Sequence, residues 1–203
     1  MLAILDYGIG NLFSLSSSLR SLGVDTVITR DEALIAASDH IILPGVGAFR
    51  DAASKLAETG MDRLVKAEAA RGKPLLGICL GMQLLFEKSF EYGEYQGLGL
   101  LKGHIDPMKG LVPPNLKLPQ MGWNRLHLKV PAHPLFQHIR EGDYVYFVHS
   151  YYAAGCGDSL IAETEYGVPI TAAVAKGNVW GTQFHPEKSG PTGLAILKAF
   201  TEA

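Results

Sequence analysis

The sequence predicts an α/β fold in a single domain: an open, mostly parallel sheet flanked by helices, with an additional β-rich portion in the second half. Through the first half, short apolar runs alternate with segments of helical periodicity, as in sheets whose strands are linked by helices. The second half instead carries successive β-rich runs, namely YVYFVHSYY, SLIAETEY, ITAAVAKG and NVWGTQF. We expect residues 1–203 to form one domain, because a chain of this length can bury one sizeable core.

In the first half of the chain, the sequence predicts strands and helices that alternate. Four leucines at helical spacing predict a helix over 11–23, which Gly23 ends. Residues 48–72 predict two helices or one broken helix, and LGMQLLFEKS after residue 79 restarts a helical pattern. We expect strands at 2–7, 24–29, 40–45 and 73–79, the last of them buried on both faces because its apolar run is continuous.

In the second half, the β-rich runs surround one hairpin and precede a last helix. The hairpin is predicted over AVAKGNVWGTQ, with Lys176, Gly177 and Asn178 in its turn. The last helix is expected over 191–201. Residues 88–121, rich in Gly, Pro and Tyr, predict a long surface segment around one short strand, and long loops of this kind are often functional.

Composition and charge argue against several classes of protein, including nucleic-acid-binding and membrane proteins. The chain is 47% hydrophobic and 19% charged, with a net charge of −2 and no long charge run, so we expect neither nucleic acid nor a membrane surface as partner. The longest uncharged run, 74–86, is too short to span a bilayer, and the start of the chain lacks the pattern of a signal peptide. We therefore expect a cytoplasmic protein, without metal or cofactor, whose Cys79 and Cys156 are free thiols.

The stretch GICLGMQ places Cys79 between two glycines, where a buried strand passes directly into a helix. This G-x-C-x-G pattern predicts a nucleophile elbow, a strained turn so tight that side chains at Gly77 and Gly81 would collide with backbone. The following helix N-terminus would favour a thiolate, and the Leu80 N–H would face an oxyanion beside the sulfur. The alternative is an inert buried cysteine, so a partner base is needed to decide.

The stretch WGTQFHPEKSG supplies that base. His185 follows a β run at the end of a strand, the edge at which open α/β sheets form binding crevices. Glu187, two residues later across a proline, can orient the imidazole, so the residues predict a Cys–His–Glu set. His149 is the rival base, although no acid lies near it in the sequence.

A second glycine-rich loop, LPGVGAF at 43–49, also follows a strand. Its glycines allow backbone to approach a ligand closely and allow a peptide to turn over. Val46 is the most plausible donor of a second oxyanion N–H, and the alternative is a plain turn.

These motifs resemble a known family. GICLGMQLLFE, QFHPEKSG and YFVHSYY resemble the class I glutamine amidotransferases, which have a flavodoxin-like fold. DYGIGNLFS, LPGVGAF and PQMGWN narrow the resemblance to the glutaminase subunits of imidazole glycerol phosphate synthase, over residues 6–190. Gln120 stands where that family more often has histidine, which puts a detail of the interface in question and leaves the chemistry intact.

The resemblance implies a reaction and a set of roles. Cys79 would attack the side-chain amide of L-glutamine, His185 would transfer protons, and Glu187 would orient His185. Glutamate and ammonia would form through a cysteinyl thioester, with the oxyanion held by the N–H groups of Val46 and Leu80. The resemblance places four further positions in the glutamine pocket: Gly47, Gln83, Ser150 and Tyr151.

The resemblance also implies a heterodimer. The partner would be a (β/α)₈-barrel cyclase that takes the ammonia and makes imidazole glycerol phosphate and aminoimidazole carboxamide ribotide for histidine biosynthesis. The PGVG loop would point its N–H away from the oxyanion until the partner's ligand binds, so the isolated chain should be a poor glutaminase. Five residues of this chain match positions that the family uses at the subunit interface or in communication across it: Asn11, Trp123, Asn124, Tyr146 and Lys188.

Three alternatives stay open in the sequence. The chain could serve another synthase, such as anthranilate or aminodeoxychorismate synthase, although MGWN and DYGIGNL argue against it. Cysteine peptidase-like and chaperone-like proteins share such a sheet but lack the HPE arrangement. A non-catalytic binding module would have no need of the Cys79, His185 and Glu187 set.

Overall fold

The computed structural model describes all 203 residues and confirms an α/β fold with a large mixed sheet flanked by helices. Its strands are short, and they are, in chain order, β1 (Leu2–Leu5), β2 (Thr26–Thr29), β3 (His40–Leu43), β4 (Leu75–Ile78), β5 (Lys88–Ser89), β6 (Tyr95–Gln96), β7 (His104–Pro107), β8 (Gln120–Arg125), β9 (His127–Leu128), β10 (Tyr144–His149), β11 (Tyr151–Ala154), β12 (Leu160–Glu165), β13 (Pro169–Lys176) and β14 (Val179–Thr182).

Six α-helices connect and cover these strands: α1 (Leu12–Ser21), α2 (Glu32–Ala37), α3 (Phe49–Glu58), α4 (Met61–Ala70), α5 (Leu80–Leu84) and α6 (Gly190–Thr201). Helices α3 and α4 are separate because Gly60 adopts a left-handed conformation between them, with φ +71°. None of the helices is both long enough and apolar enough to cross a bilayer.

The main sheet has eight strands in the order β2-β1-β3-β4-β14-β13-β12-β9. The pairings from β2 to β14 are parallel, and those from β14 to β9 are antiparallel. Strands β4 and β14 therefore lie side by side and run in the same direction at the centre of the sheet. Because the carboxyl ends of parallel strands meet at one edge, the segments that follow β4 and β14 emerge next to each other.

Two clusters of apolar side chains pack the main sheet against helices. One cluster contains Phe49 and Leu56 of α3 with Val65 of α4. The other contains Leu15 and Leu19 of α1 with Ile196 and Phe200 of α6. Strands β1, β3 and β4 are buried almost completely, which explains their continuous apolar runs.

Two smaller sheets flank the main one. Strands β8 and β10 pair antiparallel over six residues, and we call this pair the β8–β10 ribbon. Strands β11, β7, β5 and β6 form the other sheet. Together they make up the additional β-rich portion that the sequence predicts.

The structure differs from the sequence prediction at several elements. The segment 88–121 contributes three short strands before β8 rather than one, because two-residue strands such as β5 and β6 are too short to show periodicity. Helix α2 was not predicted. It is six residues long and buries only Ile35, and it begins where the Asp31 carboxylate accepts hydrogen bonds from the N–H groups of Ala33 and Leu34.

The predicted hairpin and last helix are confirmed. Strands β13 and β14 pair as far as Lys176 and Val179, so the turn consists of Gly177 and Asn178, with Gly177 at φ +57°. Lys176 lies in the strand rather than in the turn.

Candidate active site

Cys79 lies in the junction between β4 and α5, as the elbow pattern predicts. Its backbone has φ +54° and ψ −112°, a conformation that is strained for a residue with a side chain. The Cys79 N–H donates to the Thr182 carbonyl at 2.8 Å, which ties this turn to the end of β14. The strain and the tie together hold the sulfur at the carboxyl edge of the sheet.

Three glycines make this turn possible. A Cβ at Gly77 would lie 2.7 Å from the carbonyl oxygen of Gly81, and a Cβ at Gly81 would collide with the Leu43 carbonyl. A Cβ at Gly45 would lie 2.6 Å from the Gly81 amide nitrogen. The elbow and the loop after β3 therefore interlock through backbone atoms, and no larger residue fits at these positions.

His185 and Glu187 follow β14, the neighbour of β4. Strand β14 ends at Thr182, so His185 lies three residues beyond the strand rather than at its last residue. Its Nδ1 and the Glu187 Oε1 are 2.8 Å apart, and both side chains are 3% exposed. Since a carboxylate only accepts hydrogen bonds, Nδ1 carries a proton and donates it, which leaves Nε2 as the ring atom available to the sulfur.

The backbone of this segment is anchored to the β8–β10 ribbon. The His185 N–H donates to the Tyr146 carbonyl at 3.0 Å, and the Tyr146 N–H donates to the Ser189 hydroxyl at 2.9 Å. The Ser189 hydroxyl in turn donates to the His185 carbonyl. The position of the imidazole thus depends directly on β10.

Electrostatics favour a charged imidazole at His185. Burial lowers the pKa of His185, but the Cys79 sulfur and the Glu187 carboxylate beside it outweigh burial and raise the pKa to about 10. A protonated His185 beside Cys79 is the arrangement of a cysteine nucleophile with its general acid.

His149, the rival base, lies in a different environment. Its Nδ1 contacts the Tyr151 carbonyl at 2.8 Å, so this nitrogen is the protonated one. Burial lowers the pKa of His149 to about 4, which keeps the ring neutral. With no carboxylate to orient or charge it, His149 is placed to line the site rather than to act as the base.

The loop after β3 brings Val46 to the site. The Val46 N–H makes no hydrogen bond within the chain, and Leu80 is the first residue of α5, whose N–H precedes the helical bonding pattern. The carbonyl of Pro44 accepts a 2.7 Å hydrogen bond from the buried Tyr7 hydroxyl, which holds the start of this loop. Two residues with unpaired backbone N–H groups therefore line the same cavity as Cys79.

A cavity of about 630 Å³ opens over the cysteine. Most of the predicted site residues line it: Cys79, His185, Val46, Leu80, Gly47, Gln83, Ser150, Tyr151 and Lys188. Glu187 stands behind His185 and lines a much smaller cavity, which it shares with Asn11. Apart from Glu187, the predicted catalytic, oxyanion and substrate positions, 46–83 in the first half of the chain and 150–185 in the second, are thus gathered around one opening.

The remaining predicted interface residues lie on the β8–β10 ribbon. Trp123 is 52% exposed and meets the Tyr146 ring edge-on, with 6.1 Å between ring centroids, so Trp123 is not a core residue. The Asn124 side chain points to the other face of β8. Its Oδ1 accepts a hydrogen bond from Gln120 Nε2, and its Nδ2 donates to the Glu165 carbonyl. Although Asn124 and Trp123 lie on opposite faces of β8, both residues line one small surface cavity.

Sequence reasoning missed Glu91, which lines the cavity. Burial raises the pKa of Glu91, and its carboxylate accepts a 2.6 Å hydrogen bond from the Phe49 N–H at the start of α3. Glu91 lies in the segment 88–121, which was expected to be functional but contains no motif that would single out this residue.

Comparison with known proteins places this site in a family. A family model described as glutamine amidotransferase class-I matches residues 3–203. The imidazole glycerol phosphate synthase subunit HisH of Caldanaerobacter subterraneus subsp. tengcongensis is 52% identical over 203 residues, which cover 100% of this chain and 98% of that protein. The protein of the same description from Lactococcus lactis subsp. lactis is 52% identical over 202 residues, covering 99% and 98% of the two chains.

Solved structures share the fold at low sequence identity. A structure described as a glutamine amidotransferase matches with a TM-score of 0.76 at 19% identity, covering 99% of this chain and 97% of that chain. The PurLQS structure from Thermotoga maritima matches with the same TM-score at 20% identity and the same coverage. These two likenesses concern the fold alone.

Proposed function

Because the chain belongs to the class-I glutamine amidotransferases and, within them, to the HisH subunits of imidazole glycerol phosphate synthase, we propose that it is the glutaminase subunit of such a synthase. It hydrolyses L-glutamine to glutamate and ammonia. The observation that carries this proposal is the arrangement of Cys79 and His185 at one cavity, with the Glu187 carboxylate hydrogen-bonded to His185 from behind. Residues 1–203 act together as one amidotransferase domain.

Acyl transfer begins at Cys79. The sulfur attacks the side-chain amide carbon of glutamine, while the proton on His185 Nε2 passes to the departing nitrogen. The C–N bond breaks, ammonia leaves, and a glutamyl thioester remains on Cys79. Water activated by His185 then attacks the thioester carbon, and the C–S bond breaks to release glutamate. Glu187 stabilises the imidazolium form of His185 throughout.

The oxyanion of each tetrahedral intermediate is held by backbone. The N–H groups of Leu80 and Val46 are the two donors, and one such donor is worth roughly 10²–10³ in rate. No cofactor takes part in this mechanism.

Glutamine recognition uses the remaining cavity residues. The Gln83 amide nitrogen is already committed to the Tyr151 carbonyl and to Gln183, so its oxygen is the atom left to accept from the substrate. Gly47, Ser150 and Tyr151 line the pocket. We add Glu91 to the residues expected from the sequence, because a carboxylate lining this cavity can pair with the α-ammonium group of glutamine.

The product explains the need for a partner. Ammonia released into water near neutral pH is protonated and loses its nucleophilicity, so direct transfer to an acceptor enzyme preserves it. The partner is a (β/α)₈-barrel cyclase in a heterodimer, which makes imidazole glycerol phosphate and aminoimidazole carboxamide ribotide. The contact residues proposed for it are Asn11, Trp123, Asn124, Tyr146 and Lys188. A cytoplasmic location stays a prediction from the sequence.

The test is glutamate release from glutamine, measured with and without the cyclase and its nucleotide ligand. Cys79→Ala should abolish release while the complex still makes product from added ammonia. Cys156→Ala is the matched control, because it removes the other buried thiol and should leave glutamate release unchanged. Glutamine-dependent synthesis by Cys79→Ala would refute the mechanism, and high activity of the isolated chain would refute dependence on the partner's ligand.

A further inference from the structure

Gln183 is a buried amide at the end of β14 that the mechanism above does not use. It lies directly after Thr182 and two residues before His185, and its side chain is fully buried. A buried amide is costly unless its donor and acceptor groups are satisfied. Its hydrogen bonds therefore indicate what the position requires.

The orientation of this amide is fixed by a chain of hydrogen bonds. The Gln83 Nε2 is 3.2 Å from the Tyr151 carbonyl, which can only accept, so this atom of Gln83 is the NH₂ nitrogen. The same nitrogen is 3.0 Å from Gln183 Oε1, to which it donates. The Gln183 oxygen is therefore held by Gln83, and its NH₂ group must face the other way.

The Gln183 NH₂ group faces Cys79. Its Nε2 lies 3.8 Å from the Cys79 sulfur, and both residues are buried. A hydrogen bond from an amide to an anionic acceptor is stronger than one to a neutral acceptor. The contact therefore stabilises the negatively charged form of the sulfur more than its neutral form.

We propose that Gln183 is a fixed hydrogen-bond donor to Cys79, which stabilises the sulfur anion before acyl transfer and again as sulfur leaves the thioester. This inference rests on the proposed function, in which Cys79 is the nucleophile. In the second step water adds to the thioester carbon, and the C–S bond breaks with its electron pair moving to sulfur. His185 loses its charge when it gives up its proton, whereas an amide donor remains in place at every stage.

The test compares Gln183→Met with Thr171→Val in the full chain. Gln183→Met removes the donor and keeps an unbranched side chain of similar length. Thr171→Val removes another buried side-chain donor, which bonds the Ala153 carbonyl and not the Cys79 sulfur. The rate of Cys79 alkylation by iodoacetamide is followed against pH, with the modified Cys79 peptide quantified by mass spectrometry.

In Gln183→Met we expect the alkylation midpoint to rise by about one pH unit, as loss of one hydrogen bond to a charged group implies. With the cyclase and its ligand present, kcat for glutamate release should fall roughly tenfold or more. KM should change less than kcat, because Gln183 does not line the cavity and the Tyr151 carbonyl still holds the amide nitrogen of Gln83. Thr171→Val should keep the wild-type midpoint and kcat.

A second variant, Gln183→Leu, also removes the donor and serves if Gln183→Met fails to fold. Its midpoint should rise by a similar amount. A wild-type midpoint and kcat in the folded Gln183 variant would overturn this inference. That outcome is distinct from failure of the proposed function, which would appear as glutamate release by Cys79→Ala.

Discussion

The charge of His185 depends on two neighbours that work against burial. Because its folded-state pKa is raised from about 6.5 to about 10, the stability gained from the protonated ring is complete below pH ~6.5. That contribution is lost as the pH rises through about 10. Glu187 and Cys79 therefore set both the protonation state of the base and the pH range over which it stabilises the fold.

Glu187→Gln tests the contribution of the carboxylate. With its negative charge removed and burial unchanged, the pKa of His185 should fall below about 10, and kcat for glutamate release should fall roughly hundredfold. The titration of His185 is followed by nuclear magnetic resonance and kcat by glutamate release with the cyclase present. Loss of stability with rising pH should begin at lower pH than in the wild type.

The control for this change is Glu202→Gln. Glu202 contacts the Nε2 of His138 at 2.6 Å, but this pair lies on the surface, far along the chain from Cys79. We expect Glu202→Gln to leave the titration of His185 and kcat unchanged. An unaltered His185 titration in Glu187→Gln would contradict the assigned role of the carboxylate.

The elbow between β4 and α5 is an interlocked unit rather than an isolated turn. Gly81→Ala would push a methyl group into the Leu43 carbonyl at the end of β3. We expect the free energy of unfolding, measured in urea, to fall by about 3 kcal/mol, with loss of glutamate release, because neither backbone can move freely.

The matched control is Gly157→Ala. A Cβ at Gly157 would meet nothing within 4 Å, so this variant should remain within about 0.5 kcal/mol of the wild type. If Gly81→Ala were as stable and as active as Gly157→Ala, the interlocked geometry described for the elbow would be wrong.

The loop 44–47 is held at its start by Tyr7 of the segment that follows β1. Tyr7→Phe removes the hydroxyl that donates to the Pro44 carbonyl and leaves this carbonyl without its side-chain donor. We expect the free energy of unfolding to fall by about 1 kcal/mol and amide hydrogen exchange at Gly45, Val46 and Gly47 to accelerate.

Tyr166→Phe provides the comparison, because the Tyr166 hydroxyl makes the same kind of bond, at 2.6 Å to the Lys117 carbonyl, on the exposed surface. Exchange in the loop 44–47 should not respond to this variant. Equal exchange rates in Tyr7→Phe and the wild type would mean that the hydroxyl does not restrain the loop.

Taken over the molecule, patterns in the residues predicted those parts of the site that are local in the chain, and the family resemblance added positions from distant segments, such as Gly47 and Ser150. The elbow at Cys79 and the pair of His185 and Glu187 each lie within a few residues and follow known stereochemistry, and the alternation of elements predicted the sheet. Gln183 and Cys79 are 104 residues apart, and Glu91 and Phe49 are 42 apart. The contacts within these two pairs depend on how the strands pack against one another, and a local sequence pattern does not predict that packing.

The β8–β10 ribbon presents an apolar face to solvent. Met121 and Trp123 of β8 alternate with inward residues and lie on the same face as Tyr144 and Tyr146 of β10. Met121 is 64% exposed and Trp123 is 52% exposed, while Val145 and Phe147 on the other face are buried in the core. An exposed patch of large apolar side chains is typical of a protein–protein interface. Through Tyr146, the same ribbon bonds the backbone of His185.

This arrangement predicts that Trp123→Ala weakens binding to the cyclase and leaves the isolated chain folded. Loss of a large aromatic contact at the centre of an interface should raise Kd by about tenfold or more, measured by calorimetric titration with the cyclase. Leu34→Ala, which truncates another exposed apolar side chain on α2, should leave Kd unchanged. Because Trp123 packs against Tyr146 but does not line the cavity, glutamate release at saturating cyclase should stay near the wild-type rate. Binding of Trp123→Ala with wild-type affinity would place the cyclase on another surface of the molecule.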